Sequence, residues 1–302
     1  MNRKSSIVVV GSSNTDMVIK ADHLPAPGET ILGGTFFMNP GGKGANQAVS
    51  AARLGGQVTF ICKTGNDIFG RQSIRLFEEE GIDTRYLISD PSNPSGVALI
   101  TVDRHAENCI VVASGANATL SPEDLSPAEP AIRESGILLM QLEIPLPTVE
   151  HVAAVAASSG VRVVLNPAPA LELPVELLAN VSVLTPNKTE AEMISGLPVK
   201  DIGSGEQAAR AIRAMGAQTV IITLGSQGAL LLHEDEFSHI PAVPVEAVDT
   251  TAAGDVFNGA LCVGLAGGRS MKEATEYACR AAAISVTRLG AQSSVPYMHE
   301  LV

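Results

Sequence analysis

The chain has 302 residues, 45% hydrophobic and 17% charged, enough for one large α/β domain or two small ones and too apolar for a disordered polymer. Twenty Lys and Arg against 32 Asp and Glu leave a net charge of −12 with no basic run, which argues against nucleic acid, whose backbone needs clustered positive charge. Cys62, Cys109, Cys262 and Cys279 lie far apart without C-x-x-C spacing, so they read as small core residues rather than as disulfides or a zinc site.

The N-terminal "SIVVVG" reads as a buried strand ending in a glycine turn, with only four apolar residues before Gly11. That is shorter than the ~7–15 apolar residues of a signal peptide. No segment reaches the ~20 a membrane helix needs, so a soluble cytoplasmic protein is expected. "DMVIKADHLP" is a second strand, and "ETILGGTFFMNPGG" is extended and glycine-punctuated. "GANQAVSAARLGG" has helical spacing in Ala45, Ala48, Val49 and Ala52. A strand over "QVTFICKTG" and a helix over "DIFGRQSIRLFEEEG" follow, then two strands in "SGVALITVDRHAENCIVVASGAN".

From there strands and helices alternate: strand "GILLMQLE", helix "LPTVEHVAAVAASSG", strand "VRVVLNPAP", short helix "ELPVELLAN", strand "VSVLTPN" and helix "KTEAEMISG". Helix "EQAARAIRAMG", strand "TVIITLG" and strands "GALLLHED" and "EFSHIPAV" come next, and helices over 254–266 and 271–287 close the chain. Alternation with wholly apolar strands predicts a doubly wound, mostly parallel sheet flanked by helices, in a single α/β domain over 1–302. Segments 15–38 and 95–112 lack an intervening helix and are expected to pair as a small β-sheet lid. Such a lid would cover the carboxyl ends of the strands, where ligands sit in open α/β sheets.

Phosphate fingerprints are weak in the first half. "VVVGSSNTD" lacks G-x-G-x-x-G, and "GGKGAN" has Gly44 where a P-loop needs Ser or Thr. What "NPGGKGANQA" offers is glycines, Lys43 and Asn46 at a helix start, with first-turn amides as free donors. Beside Asn14 and Asp16 in "SSNTD", this supplies donors and carboxylate acceptors, as a polyol pocket requires. Glu143, at the end of "ILLMQLE", is either another acceptor or a solvated strand end.

In "VDTTAAGDVFNGALCVGLAGG", Asp255 reads either as a helix-start acid or as a base. The small residues before it leave the amides of Ala253, Gly254 and Asp255 open as an anion hole. A carboxylate there suits proton removal from a hydroxyl attacking a phosphoryl group. Asn187 and Glu190 in "TPNKTEAEM" can orient water or a divalent cation, or simply start a helix. "TLGSQGA" can cradle phosphates or form a tight hairpin.

Together these stretches resemble the ribokinase-like (PfkB-type) carbohydrate kinases over about residues 5 to 298, with "GGKGANQA" similar to the N-terminal signature and "DTTAAGD" to the C-terminal one. The resemblance implies an α/β kinase with a β-sheet lid that uses ATP, Mg²⁺ and a monovalent cation, usually K⁺. It implies Asp255 as the base, Ala252, Ala253 and Gly254 as the anion hole, and Asn14, Asp16, Gly42, Lys43, Asn46 and Glu143 around the sugar. Asn187, Thr223, Gly225, Ser226, Gly228 and Cys279 would line the nucleotide site, with Glu190 in the Mg²⁺ environment. Asp249, Thr251, Ser285, Arg288, Gly290 and Ser294 match the K⁺ positions.

The expected reaction is phosphorylation of D-ribose at its 5-hydroxyl. Another pentose, 2-deoxyribose, a nucleoside, or sugar binding without catalysis are the alternatives. An open small sheet has edges and an apolar side to cover, so Phe36, Phe37 and the "VALITV" strand are candidates for a homodimer contact through the lid.

Overall fold

The computed structural model describes residues 5–105 and 107–301, so position 106 of the second lid segment lies outside it. The chain opens with β1 (Ser6–Val10), β2 (Asn14–Lys20), β3 (Thr35–Gly41), α1 (Lys43–Arg53), β4 (Gln57–Ile61), β5 (Lys63–Gly65) and α2 (Ile68–Glu79). The middle holds β6 (Ile88–Asp90), β7 (Gly96–Val102), β8 (Asn108–Ala113), α3 (Pro122–Leu125), α4 (Glu129–Glu134), β9 (Ile137–Met140), α5 (Leu146–Ser158) and β10 (Arg162–Leu165). Then come α6 (Val175–Leu178), β11 (Val183–Leu184), α7 (Lys188–Ser195), α8 (Ile202–Ala214), β12 (Thr219–Thr223), β13 (Ala229–His233), β14 (Glu236–Ile240), α9 (Ala253–Ala266) and α10 (Met271–Ser285).

Eight strands form one sheet in the order β14-β13-β12-β11-β10-β9-β1-β4. All pairings from β4 to β12 are parallel, and β13 and β14 close the other edge antiparallel. The parallel strands carry apolar residues on both faces because both faces are covered. On β1, Val8 and Val10 pack with Val149 and Val152 of α5, whereas Ile7 and Val9 pack with Ala48 of α1, Ala260 of α9 and Ala278 of α10. The chain runs outward from β1 to β4 and then returns to β9 on the other side, so strand order reverses at β1/β9 and opens a crevice at their carboxyl ends.

The two helix-free segments form a separate four-stranded sheet, β3-β2-β7-β8. Its register fixes its faces. Ile19 opposes Phe36, Met17 opposes Met38 and Leu99, and Leu99 opposes Val111, so these share one face; Asn14 and Asp16 lie on the other. Ile19, Phe36, Met38, Leu99 and Val111 are exposed, but Val18 and Ala98, on the Asp16 face, are buried. Phe37 lies on the Asp16 side, so it cannot contribute to the same apolar surface as Phe36.

Several boundaries differ from expectation. The single strand expected over "QVTFICKTG" is two, and β5 pairs with the unexpected β6 in a small parallel sheet. Short helices α3 and α4 occupy a Pro-rich stretch, the first capped by Ser121. Helix α8 starts earlier than expected because Asp201 accepts a hydrogen bond from Ser204 N and sets the first turn. Helix α10 ends at Ser285 rather than 287.

Candidate active site

Helices α1 and α9 approach closely because Gly259 carries no side chain: a Cβ there would stand 2.6 Å from the Ser50 side chain. The Ser50 hydroxyl donates to the Val256 carbonyl at 3.1 Å and fastens the contact. This brings the start of α1 against Asp255. Asn46 Nδ2 donates to Asp255 Oδ2 and Gln47 Nε2 to Oδ1, each at 3.0 Å. One amide therefore holds each carboxylate oxygen. Burial pushes the Asp255 carboxyl above its usual range, opposed by Lys43, Asn46 and Gln47. A buried carboxylate with a raised pKa, held by two amide donors, has the character of a general base.

Behind Asp255 runs a buried chain of side chains. Gln141 Nε2 donates to Gln47 Oε1 at 2.6 Å, Gln47 Nε2 also donates to Asn166 Oδ1 at 3.1 Å, and Asn166 Nδ2 to the Thr185 carbonyl at 3.2 Å. Thr185 Oγ1 donates to Asn258 Oδ1 at 2.6 Å, and Asn258 Nδ2 returns to the Gly254 carbonyl at 2.8 Å. Asn166 and Thr185 follow β10 and β11, so the network spans several strand ends and ties them to the first turn of α9.

That first turn differs from expectation in one donor. Ala253 N donates to the Thr250 carbonyl at 3.2 Å and is not free. Among the described residues no protein acceptor meets the Gly254 or Asp255 amides, so the open donors lie one residue further along. Ala252 takes φ +59° to make this corner, a left-handed conformation that costs an alanine roughly 1–2 kcal/mol. A Cβ at Gly254 would find nothing within 4 Å, so the turn faces open space.

Asn14 and Asp16 follow β1, and Gly42 caps α1 with φ +88°. A Cβ on Gly42 would stand 2.7 Å from Asn14 N, so this glycine lets the two turns meet. The free α1 amides expected from the sequence are taken. Lys43 N donates to Glu143 Oε2 at 2.9 Å, Gly44 N to Ser12 Oγ at 3.3 Å, and Ala45 N to the Ser12 carbonyl at 2.9 Å. Ser12 Oγ donates to the same Glu143 oxygen at 2.5 Å. Glu143 thus caps α1 through Oε2, with no protein donor on Oε1 among the described residues.

Asp16, by contrast, receives no hydrogen bond from any described residue. Burial and the nearby charges of Glu143 and Asp255 push its carboxyl to about 6. Lys43 answers them: burial works to lower its pKa, but Asp255, Glu143 and Glu190 raise it above its usual range. Asn46 Oδ1 is buried without a partner among the described residues, an acceptor awaiting a donor. One lysine, four carboxylates and unfilled donors and acceptors make a cluster suited to a hydroxylated ligand.

The pfkB family model, a family of carbohydrate kinases, matches residues 4–298. The chain belongs to this kinase family. A ribokinase of Haemophilus influenzae is 45% identical over 297 residues, 98% of this chain and 97% of that protein. A deoxyribokinase of Salmonella typhi is 39% identical over 295 residues, 97% of this chain and 96% of that protein. The structure of Arabidopsis thaliana ribokinase complexed with ribose and ATP is similar with a TM-score of 0.92 at 31% identity, covering 98% of this chain and 97% of that one.

The kinase's remaining predicted positions divide into two groups. Asn187, beyond β11, and Thr223, at the end of β12, meet as a bridge. Asn187 Oδ1 accepts from Glu190 N at 2.9 Å, and Asn187 N donates back to Glu190 Oε2 at 2.7 Å, a reciprocal cap on α7. The helix-start reading of this pair therefore holds, yet Glu190 also feels Lys43 and Asp255, and burial raises its pKa. Gly225 and Ser226 form a single turn after β12, and a Cβ on Gly228 would overlap the Ile240 carbonyl. Cys279 on α10 packs at the edge of the core with its thiol raised by burial to about 11.

In the second group, Asp249 Oδ1 accepts from Thr251 N at 2.9 Å and Thr251 Oγ1 at 2.6 Å, and Oδ2 from Gly290 N at 2.8 Å. These donors outweigh burial and lower its pKa. Ser285 and Ser294 spend their hydroxyls on the carbonyls of Ala282 and Ala291, and Arg288 pairs with Glu300. The structure thus joins Asp249, Thr251 and Gly290 directly, while Ser285 and Ser294 orient their hydroxyl protons to backbone carbonyls and Arg288 is engaged by Glu300. Sequence reading also missed Ser12, Gln47, Asn117, Asn166 and Asn258. Only Gln47 carried a signal, as a long polar residue on the buried face of a small-residue helix.

Proposed function

We propose that this kinase moves the γ-phosphoryl group of ATP to the 5-hydroxyl of D-ribose, giving ribose 5-phosphate and ADP. The observation that carries this reading is Asp255, buried between two amide donors beside the unfilled Gly254 and Asp255 amides. Asp255 takes the hydroxyl proton as the sugar oxygen attacks the γ-phosphorus, and the bond to the β,γ-bridging oxygen breaks with its electrons leaving on ADP. The open amides and the α9 dipole stabilise charge on the phosphoryl oxygens. Asn14, Asp16, Lys43, Asn46 and Glu143 hold the sugar; Asn187, Thr223, Gly225, Ser226, Gly228 and Cys279 border the nucleotide. Asn14 and Asp16 bracket a 2-hydroxyl, and an unpaired buried amide costs roughly 1–3 kcal/mol, which favours ribose over 2-deoxyribose.

Mg²⁺ supplies charge neutralisation on the phosphates when bound, and Glu190 is the residue whose remaining lone pairs fit its water shell. A potassium ion fits the Asp249–Thr251–Gly290 corner, where Ser285, Arg288 and Ser294 would take part through backbone carbonyls. The exposed apolar face of the small sheet supports a homodimer, and use of ATP supports a cytoplasmic location; among the described residues no helix is long and apolar enough to cross a membrane.

A coupled ADP-release assay over a panel of pentoses, with and without K⁺, tests the reaction. Asp255→Asn should lower kcat by roughly a thousandfold or more while sugar binding stays within about tenfold. Appreciable residual kcat would remove Asp255 from the role of base.

A further inference from the structure

Asn117 lies on the single helical turn 115–119 that follows β8, more than a hundred residues from the sugar-side loop, and is almost wholly buried. Ser13 N donates to its Oδ1 at 2.9 Å, while its Nδ2 donates to the Ser13 carbonyl at 3.0 Å and to Asn14 Oδ1 at 2.8 Å. The direction of each amide follows from chemistry. A backbone N–H is always a donor, so the Asn117 atom facing Ser13 N is the oxygen and the other is the nitrogen. That nitrogen can face only an acceptor, so Asn14 turns its oxygen to Asn117. Its own nitrogen then points away from Asn117, on the sheet face it shares with Asp16.

The packing is built for this pair. Gly96 opposes Asn14 on the neighbouring strand, and a Cβ there would stand 2.1 Å from Asn14 Oδ1 and 2.3 Å from Asn117 Nδ2. Any larger residue would break the amide-to-amide bond.

We infer that Asn117 is a specificity-determining positioning residue: it fixes the Asn14 amide so that the pocket presents an N–H donor, and thereby demands a hydroxyl oxygen on the sugar carbon next to the anomeric centre. The inference rests on the ribose reading above. Asp16 supplies the complementary acceptor, so one hydroxyl is met both as acceptor and as donor. A sugar lacking that hydroxyl leaves the Asn14 N–H unpaired, and Asn117 prevents the amide from turning over to relieve it.

Asn117→Asp tests the lock with almost no change of shape. One carboxylate oxygen still accepts from Ser13 N, but the other meets Asn14 as an acceptor and turns its amide around. Relative to wild type, kcat/KM for D-ribose should fall roughly tenfold to a hundredfold through KM, with kcat within about twofold. For 2-deoxy-D-ribose it should change by less than about threefold. In an Asn14→Ala background the same substitution should add nothing for either sugar, a result that a merely structural role would not give. Equal losses for both sugars, or a full loss persisting without Asn14, overturns the inference. If the aspartate variant does not fold, Asn117→Ala must show the same selective loss. Wild-type enzyme separates the two claims. Failure to phosphorylate either sugar refutes the ribose reading and the inference with it. Strong wild-type turnover with an unchanged ribose-to-deoxyribose ratio in Asn117→Asp refutes the inference alone.

Discussion

Replacing Asp16 by Asn should make the protein more stable and useless to its sugar. In the folded chain the carboxyl is raised from 3.8 to about 6 by burial and by the charges of Glu143 and Asp255. Each tenfold change in an ionisation constant is worth about 1.4 kcal/mol, so an ionised Asp16 costs the ligand-free fold about 3 kcal/mol at neutral pH. The sign follows from proton binding. Between pH 3.8 and about 6 the folded state holds the proton more tightly than the unfolded chain, so stability falls as pH rises through that window. Above it the cost is constant, and below it the cost vanishes. Urea unfolding of wild type and Asp16→Asn at pH 8 and pH 4 reads the difference directly. The variant should be more stable by about 3 kcal/mol at pH 8, and the gap should close towards pH 4. A variant no more stable at pH 8, or a gap that does not depend on pH, would refute the argument that Asp16 is held ionised against its surroundings.

Gly254→Val fills space in which a Cβ meets nothing within 4 Å, so the melting temperature should hold. The branched side chain stands over the open amides, and kcat/KM should fall by about a hundredfold or more in the coupled assay. A near-normal rate would move the phosphoryl site elsewhere. On the small sheet, Leu99 is 56% exposed, so Leu99→Glu should leave folding intact yet convert a dimer to a monomer in sedimentation equilibrium. A wild-type chain that already sediments as a monomer at micromolar concentration removes this face as an interface.

The α/β architecture was legible because strands such as "IVVV" and "ILLM" are wholly apolar and each runs into a glycine or polar turn. The small sheet was legible from two long extended stretches without a helix. Strands β5 and β6 were not, because "KTG" and "ISD" are too short to show a period of two. At the site, the short motifs revealed Asp255, Asn46 and Asp16. They did not reveal that Glu143 and Ser12 occupy the α1 amides, or that Ala253 N is taken by Thr250. A motif names donors, and only the fold says which are already paired. Gln47, Asn166 and Asn258 escaped for a related reason. Their side-chain partners lie 73 to 208 residues away, beyond any local pattern.

Several strained or unsatisfied groups lie where the substrates would sit. Asp16 and Glu190 carry raised pKa values and Ala252 is left-handed, and among the described residues Asn46 Oδ1 has no donor and the Gly254 and Asp255 amides lack acceptors. Three carboxylates away from the site show the opposite. Asp67, Asp90 and Asp201 accept several hydrogen bonds each and have lowered pKa values. By contrast, Asp16 and Glu143 Oε1 at the site meet no donor among the described residues. The groups are also complementary in kind: acceptors and one donor on the Asn14 side suit hydroxyls, and bare amides on the α9 side suit an anion. The buried chain from Gln141 through Gln47 and Asn258 to Gly254 fixes the distance between those two sides. Asp255 belongs to both, with its carboxylate held from α1 and its amide open on α9, so proton removal and phosphoryl stabilisation are set by one residue's position.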